Sequence, residues 1–263
     1  MNFTLPYIPE RTAHPRNNGL TMMMDKGLSW REAENFVASS APYCDLVKFG
    51  FGSSMITSDL EKKIAIYHEA GMKVYFGGTL FEAFVARGMF DDYRKLLKKF
   101  KLQCAEVSDG SIEINHKQKC TYIKQLSEDC TVLSEVGSKE EGILISPAKW
   151  VRMMSNELKA GSWKVIAEAR ESGNVGIYRP NGTAHSMLVN KILNKIKAED
   201  ILWEAPQKPQ QVWFIKLIGA NVNLGNIGPH DVIALESLRL GLRGDTFFDH
   251  LPEEVGEKLK QIQ

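Results

Sequence analysis

Cysteine is scarce in these 263 residues: Cys44, Cys104, Cys120 and Cys130 are the whole complement, and no pair has C-x-x-C spacing. A zinc knuckle or a disulfide framework is therefore unsupported, and because three of the four lie in apolar runs, buried free thiols are expected. Neither charge sign dominates, with 33 Lys and Arg against 32 Asp and Glu. That balance supplies no basic footprint for nucleic acid and no polybasic anchor. No window approaches the roughly 18 consecutive apolar residues of a membrane span. The start, "MNFTLPYIPERTAHP", also lacks the apolar core of a signal peptide. A cytoplasmic protein that binds no membrane is the expectation. No G-x-G-x-x-G opens a helix, no P-loop is present, and no internal repeat or low-complexity tract is visible. The six histidines (14, 68, 116, 185, 230 and 250) are dispersed without ligand spacing and read as ordinary surface or loop residues.

What the chain does have is alternation. After a Pro-containing N-terminal extension, residues 1–18, short apolar runs at 20–25, 44–49, 72–77, 102–107, 130–136, 163–169, 200–204 and 221–225 read as strands. Amphipathic helical patterns lie between and after them, at 30–39, 58–70, 80–99 with a break near Gly88, 116–128, 147–160, 184–197, 208–218 and 231–240. Capping boxes are expected at Ser29 with Glu32, Ser58 with Glu61 and Thr79 with Glu82. Eight β units, each followed by an α unit, predict an α/β fold: a single-domain (β/α)8 TIM barrel over residues 19–263. A doubly wound sheet is the alternative, but it needs two protected edges and no strand reads as a blunted edge.

Four of the apolar runs carry a glutamate near their C-terminal end: Glu106, Glu135, Glu168 and Glu204. A carboxylate seldom enters an interior unless it is paired or at work. In a parallel barrel the C-terminal strand ends share one mouth, and strands four to seven are neighbours there, so these carboxylates converge. Crowded carboxylates repel, and a divalent cation, a cationic side chain or a shared proton relieves them. With oxygen donors and neither histidine nor thiol, Mg²⁺ is the natural ion, held by Glu106, Glu135 and Glu204. The plainer alternative is that individual glutamates pair with Arg170, Lys48 or a neighbouring helix.

Candidate cations and anion-binding groups surround the same mouth. Lys26 follows strand one, Lys48 lies within "CDLVKFGFG", Lys139 follows strand five, and Arg170 with Ser172 and Gly173 closes strand six. Gly78, in Gly77-Gly78-Thr79, could offer backbone N–H groups at a helix start, although a Gly-Gly pair is commonly just a tight turn. Asn223 and Asn226 lie in "NVNLGN", after the position where barrels often hold phosphate.

In order along the chain stand "KFGFGSS", "KVYFGGTLFE", "EVSDGS", "SEVG", "EARESG", "WEAPQK", "NVNLGNI" and "LRLGLRGDTF". With these motifs the chain resembles the phosphosulfolactate synthase family, which includes bacterial members and related plant heat-stress proteins. The resemblance implies a lyase of TIM-barrel fold that adds sulfite to phosphoenolpyruvate with Mg²⁺, giving (2R)-phospho-3-sulfolactate, a step toward coenzyme M in methanogens. It also leads us to expect a homo-oligomer. Lys48, Lys139 and Glu168 are the catalytic candidates. The family's "EVGKK", with a lysine proposed as proton donor, reads Glu135-Val136-Gly137-Ser138-Lys139 here. Lys139 or Lys48 would then protonate the intermediate, or the activity is altered. A member serving a stress-associated or interaction role, and a related Mg²⁺ enzyme on another phosphorylated acid, are the alternatives. Arg243 and Asp245, in "GLRGDT", follow the last helix and are expected to be a structural clamp or a subunit contact rather than part of the same monomer's site.

Overall fold

The eight apolar runs form strands because their side chains are buried on both faces, as in a parallel sheet covered by helices. The computed structural model describes residues 2–137 and 145–260. In chain order the elements are β1 (Thr21–Asp25), α1 (Trp30–Ser40), β2 (Leu46–Phe49), α2 (Leu60–Glu69), β3 (Lys73–Phe76), α3 (Gly78–Val85), α4 (Phe90–Lys99), β4 (Cys104–Val107), α5 (His116–Ser127), β5 (Thr131–Val136), α6 (Pro147–Ala160), β6 (Ser162–Ala167), α7 (Ser186–Leu193), β7 (Ile201–Glu204), α8 (Lys208–Ile218), β8 (Leu224–Ile227), α9 (Val232–Arg239) and α10 (Glu253–Lys260). The strands make one parallel sheet in the order β3-β2-β1-β8-β7-β6-β5-β4, curled nearly into a barrel. Only β3 and β4 share no hydrogen-bonded ladder among the described strands.

Strand alternation sorts the residues into two cores. Met23, Val47, Ala105, Val136, Ala167 and Trp203 face the helices. Met22, Leu46, Tyr75, Cys104, Leu133, Ile166 and Leu202 fill the barrel interior. Two residues beyond five of those interior positions come Lys48, Glu106, Glu135, Glu168 and Glu204. A period of two therefore stacks a charged layer directly on an apolar one.

The opposite end is closed by arginines. Arg239, fully buried, donates to the carbonyls of Ala220 (2.7 Å) and Val222 (2.6 Å). Arg11 pairs with Glu236 at 2.9 Å and Arg16 with Asp45 at 2.8 Å, which ties the segment before β1 to the barrel floor.

Of the expected capping boxes, Ser29 with Glu32 is present in full. The other two are corrected. α2 begins after Asp59, which adopts a left-handed conformation and makes no side-chain cap, so Ser58 lies outside the helix. α3 begins at Gly78 with Gly77 at its cap, which places Thr79 inside the first turn, and Glu82 turns instead to the loop after β4. The last strand begins at Leu224, three residues later than the expected 221. All four cysteines are free, two of them buried. Among the described residues no helix is long and apolar enough to cross a membrane.

Candidate active site at the barrel mouth

The charged layer opens into a cleft of about 300 Å³ lined by Lys48, Glu106, Glu135, Glu168, Arg170, Ser172, Glu204 and Asn226, with Gly78, Met24 and Phe51 completing its wall. That is the lower end of the size range for small-ligand sites. A larger hollow of about 490 Å³, lined by Leu60, Phe76, Leu80, Phe84 and Phe100, is apolar and gathers no convergent carboxylates. Chemistry belongs to the smaller cleft.

Lys48 stands at its centre. Its Nζ lies 3.0 Å from Glu106 Oε2, 3.4 Å from Glu204 Oε1 and 3.5 Å from Glu135 Oε2, and all four side chains are buried. The Glu106 contact is an ion pair without hydrogen-bond alignment. Burial alone would lower the lysine's pKa, but Glu106, Glu204 and Glu135 together outweigh it and hold the ammonium well above its usual range. The carboxyls respond oppositely. Burial pushes Glu204 up to about 8 against the pull of Lys48, with Glu135 adding repulsion, and burial likewise raises Glu106. One ammonium faces three carboxyls, and the upward shift of Glu204 favours its protonated form at neutral pH.

The carboxylates are held from behind. Glu106 Oε1 accepts the Gly78 amide at 2.6 Å, across the β3–β4 seam where the ladder is missing. A Cβ at Gly78 would fall 2.1 Å from Ser108 Oγ and 2.9 Å from Glu106 Oε1, so this approach requires glycine. Glu204 Oε2 accepts the Ala169 amide at 2.7 Å, and the Tyr178 hydroxyl donates to the Glu204 carbonyl at 2.7 Å. Tyr75, the register partner of Lys48, lies fully buried in the interior, and its phenol is raised well above its usual range by burial and then by Glu106.

Several sequence-based expectations change here. The trio expected to hold Mg²⁺ surrounds the Lys48 ammonium, and among the described residues no three acidic, histidine or cysteine side chains are arranged to hold a metal ion. The ion that the resemblance implies does not fit Glu106, Glu135 and Glu204 as they stand, because the Lys48 ammonium occupies the space between them. Asn223 is not at the mouth: it accepts from the Leu20 amide and donates to the Glu199 and Ile201 carbonyls at the start of β7 and β8, on the floor. Gly173 is buried with its carbonyl engaged by Gln210 at 2.7 Å, outside the cleft lining. The Gly78 amide serves Glu106 rather than an external anion. Lys26 sits on the rim, about half exposed, and pairs with Glu171.

Arg170, Ser172, Glu168 and Asn226 do line the cleft, Asn226 from a left-handed conformation at φ 58°. Lys139 and Ser138 lie outside the described residues. Asp245 pairs with Lys208 at 2.9 Å and Arg243 reaches the Ala234 carbonyl at 3.5 Å, so neither belongs to the cleft. Tyr75 carries no site signal because an aromatic in the apolar run 72–77 reads as core, and Tyr178 lies in the segment after β6, outside every expected strand.

A family model described as (2R)-phospho-3-sulfolactate synthase (ComA) matches residues 9–245. The chain belongs to this family. The phosphosulfolactate synthase of Bacillus subtilis (strain 168) is 41% identical over 244 residues, spanning 92% of this chain and 97% of the relative. That of Methanocaldococcus jannaschii is 39% identical over 235 residues, spanning 87% and 94%. Among solved structures, 3-hexulose-6-phosphate synthase from Salmonella typhimurium superposes with a TM-score of 0.52 at 15% identity, covering 93% of this chain and 100% of that one. That likeness speaks to the barrel alone.

Proposed function

We propose that this family member is a lyase that adds sulfite to phosphoenolpyruvate, giving (2R)-phospho-3-sulfolactate. The observation that carries the reading is the Lys48 ammonium caged by Glu106, Glu135 and Glu204 in the barrel mouth. Sulfur attacks C3 of the enol phosphate, and the π electrons of the C2–C3 bond move toward C2 and the adjacent carboxylate. A fixed cation beside that carboxylate stabilises the developing charge without reorganising. Collapse of the intermediate then needs a proton at C2. Lys48, charged and out of water, can deliver it, and one of the protonated mouth carboxyls can return a proton to the lysine. Arg170, Ser172 and Asn226 on the wall suit the phosphate, and Glu168 stands beside them.

Two anionic substrates must enter a mouth rich in carboxylates, which ionised glutamates would oppose. The raised Glu204 and Glu106 carboxyls lessen that repulsion, while Arg170 and Lys26 at the rim attract. The test is incubation of purified protein with phosphoenolpyruvate and sulfite, with and without Mg²⁺, followed by phosphorus NMR and mass spectrometry. Consumption of both substrates into one sulfonated phosphoester is expected. Undiminished phosphoenolpyruvate under every condition would contradict the assignment.

A further inference from the structure

Behind the mouth, on the helix side of the wall, another lysine is buried. Lys119 of α5 and Glu157 of α6 are both 0% exposed. Lys119 Nζ lies 3.0 Å from Glu157 Oε1 and 2.8 Å from Asp109 Oδ1, and it also donates to the backbone carbonyl of Glu135. Burial alone would lower this ammonium's pKa, but Glu157 and Asp109 more than reverse that.

The carbonyl contact follows from strand geometry. Along a strand, successive backbone groups point to opposite neighbours. Thr131 N donates to Gln103 O ahead of β4, and Val136 O accepts from Glu168 N on the β6 side. By that alternation the Glu135 carbonyl points toward β4. Yet the β4–β5 ladder ends at Val107 opposite Ser134, and the next rung would need the amide of Asp109, in a chain that has already left the sheet. Glu82 holds the departing loop by accepting from the Ser108 hydroxyl and from the Gly110 and Ser111 amides at 3.0 and 2.9 Å. A buried carbonyl left without a donor is destabilising. Lys119 fills the vacant rung, and the Asp109 side chain accepts from the same ammonium.

We propose that Lys119 is a positioning residue for the reaction: by supplying the missing ladder donor to the Glu135 carbonyl, it fixes the angle at which the Glu135 carboxylate meets Lys48. Packing alone does not explain a charge at this position, since a buried ion pair is commonly replaceable by well-packed apolar residues without loss of stability. What an apolar side chain cannot do is donate to Glu135. The proposal rests on the sulfite-addition reading for its kinetic consequence, but not for its structural one.

The test is the double variant Lys119→Met/Glu157→Leu, which removes both buried charges together, read beside Lys119→Met alone. The double variant is expected to remain folded at the assay temperature with a lower melting temperature, since the Glu135 carbonyl and Asp109 lose their donor. Its kcat should fall about ten- to a hundredfold with little change in KM for phosphoenolpyruvate, as a displaced reacting group would give. Amide hydrogen exchange at residues 107–111 and 134–137 should also accelerate. A double variant with unaltered kcat would overturn the positioning role. If the unaltered protein does not turn over these substrates, the proposed function falls, and the exchange data then decide: unchanged protection at those two segments would overturn the inference as well.

Discussion

Two of the lysines buried in this barrel, Lys63 and Lys48, meet carboxylates with opposite results. On the outer wall, Lys63 of α2 meets one carboxylate among the described residues, Asp25 at the end of β1, at 2.8 Å, with both side chains 0% exposed, and it also donates to the Leu28 carbonyl. The other oxygen of Asp25 accepts the Gly27 and Leu28 amides, and the Tyr67 hydroxyl donates to the oxygen that Lys63 meets. Charge is matched one to one and the carboxylate's bonding is saturated. In the mouth, Lys48 faces three carboxyls, and burial favours the protonated form of Glu204. A balanced pair fixes a loop, whereas an unbalanced one is poised for proton transfer and for charge developing on a substrate.

The largest effect should come from Lys48→Met, which removes the central cation while keeping the side chain's bulk. Turnover is expected to fall by about three orders of magnitude, with circular dichroism and thermal melting showing a folded protein. Retention of more than about a tenth of the rate would move the proton donor elsewhere. Lys63→Met should act on the other ledger. Breaking a fully buried pair and stranding Asp25 is expected to cost about 3–5 kcal/mol, measured by urea unfolding. A loss below about 1 kcal/mol would show that the wall pair is not a structural clamp.

Smaller effects are expected at the rim. Arg170→Ala should weaken phosphoenolpyruvate binding about tenfold, or about 1.4 kcal/mol, by calorimetric titration. Unchanged affinity would make Arg170 a bystander. Lys26→Ala removes an exposed pair with Glu171, in which the side chains are 45% and 46% accessible, and should change stability by less than about 1 kcal/mol in the same urea experiment.

How much of this was legible in the sequence depends on the residue. Each mouth glutamate follows an apolar interior residue by two positions, so the strand period alone brought Glu106, Glu135, Glu168 and Glu204 to one end. Lys48 was legible for the same reason, sitting two residues after Leu46. Asn223 misled because its neighbour Val222 is buried and apolar, which extended the apparent strand toward the floor and ended it at residue 225, two residues short of the observed end at Ile227. Ser58 and Thr79 carried the right spacing for capping boxes, but the left-handed Asp59 and the glycine at position 77 set the helix starts instead. Lys119 left no signal. In "HKQKCTYIKQLS" it reads as one more lysine on a solvated helix face, and only the end of the β4 ladder gives it work.

The contrast between the two lysines rests on the proton held by Glu204 in the mouth, and that can be titrated. Glu204, raised to about 8 from an ordinary 4.5, binds more protons in the folded than in the unfolded chain across that interval. Its stabilising contribution is therefore complete below the unfolded value and is lost as pH rises through about 8. Carbon-13 NMR of glutamate-labelled protein between about pH 5 and about pH 10, with Glu204→Gln for assignment, reads the carboxyls directly. The account predicts one mouth carboxyl titrating near 8 that disappears in the variant. Full ionisation of every mouth carboxyl by about pH 6 would contradict it.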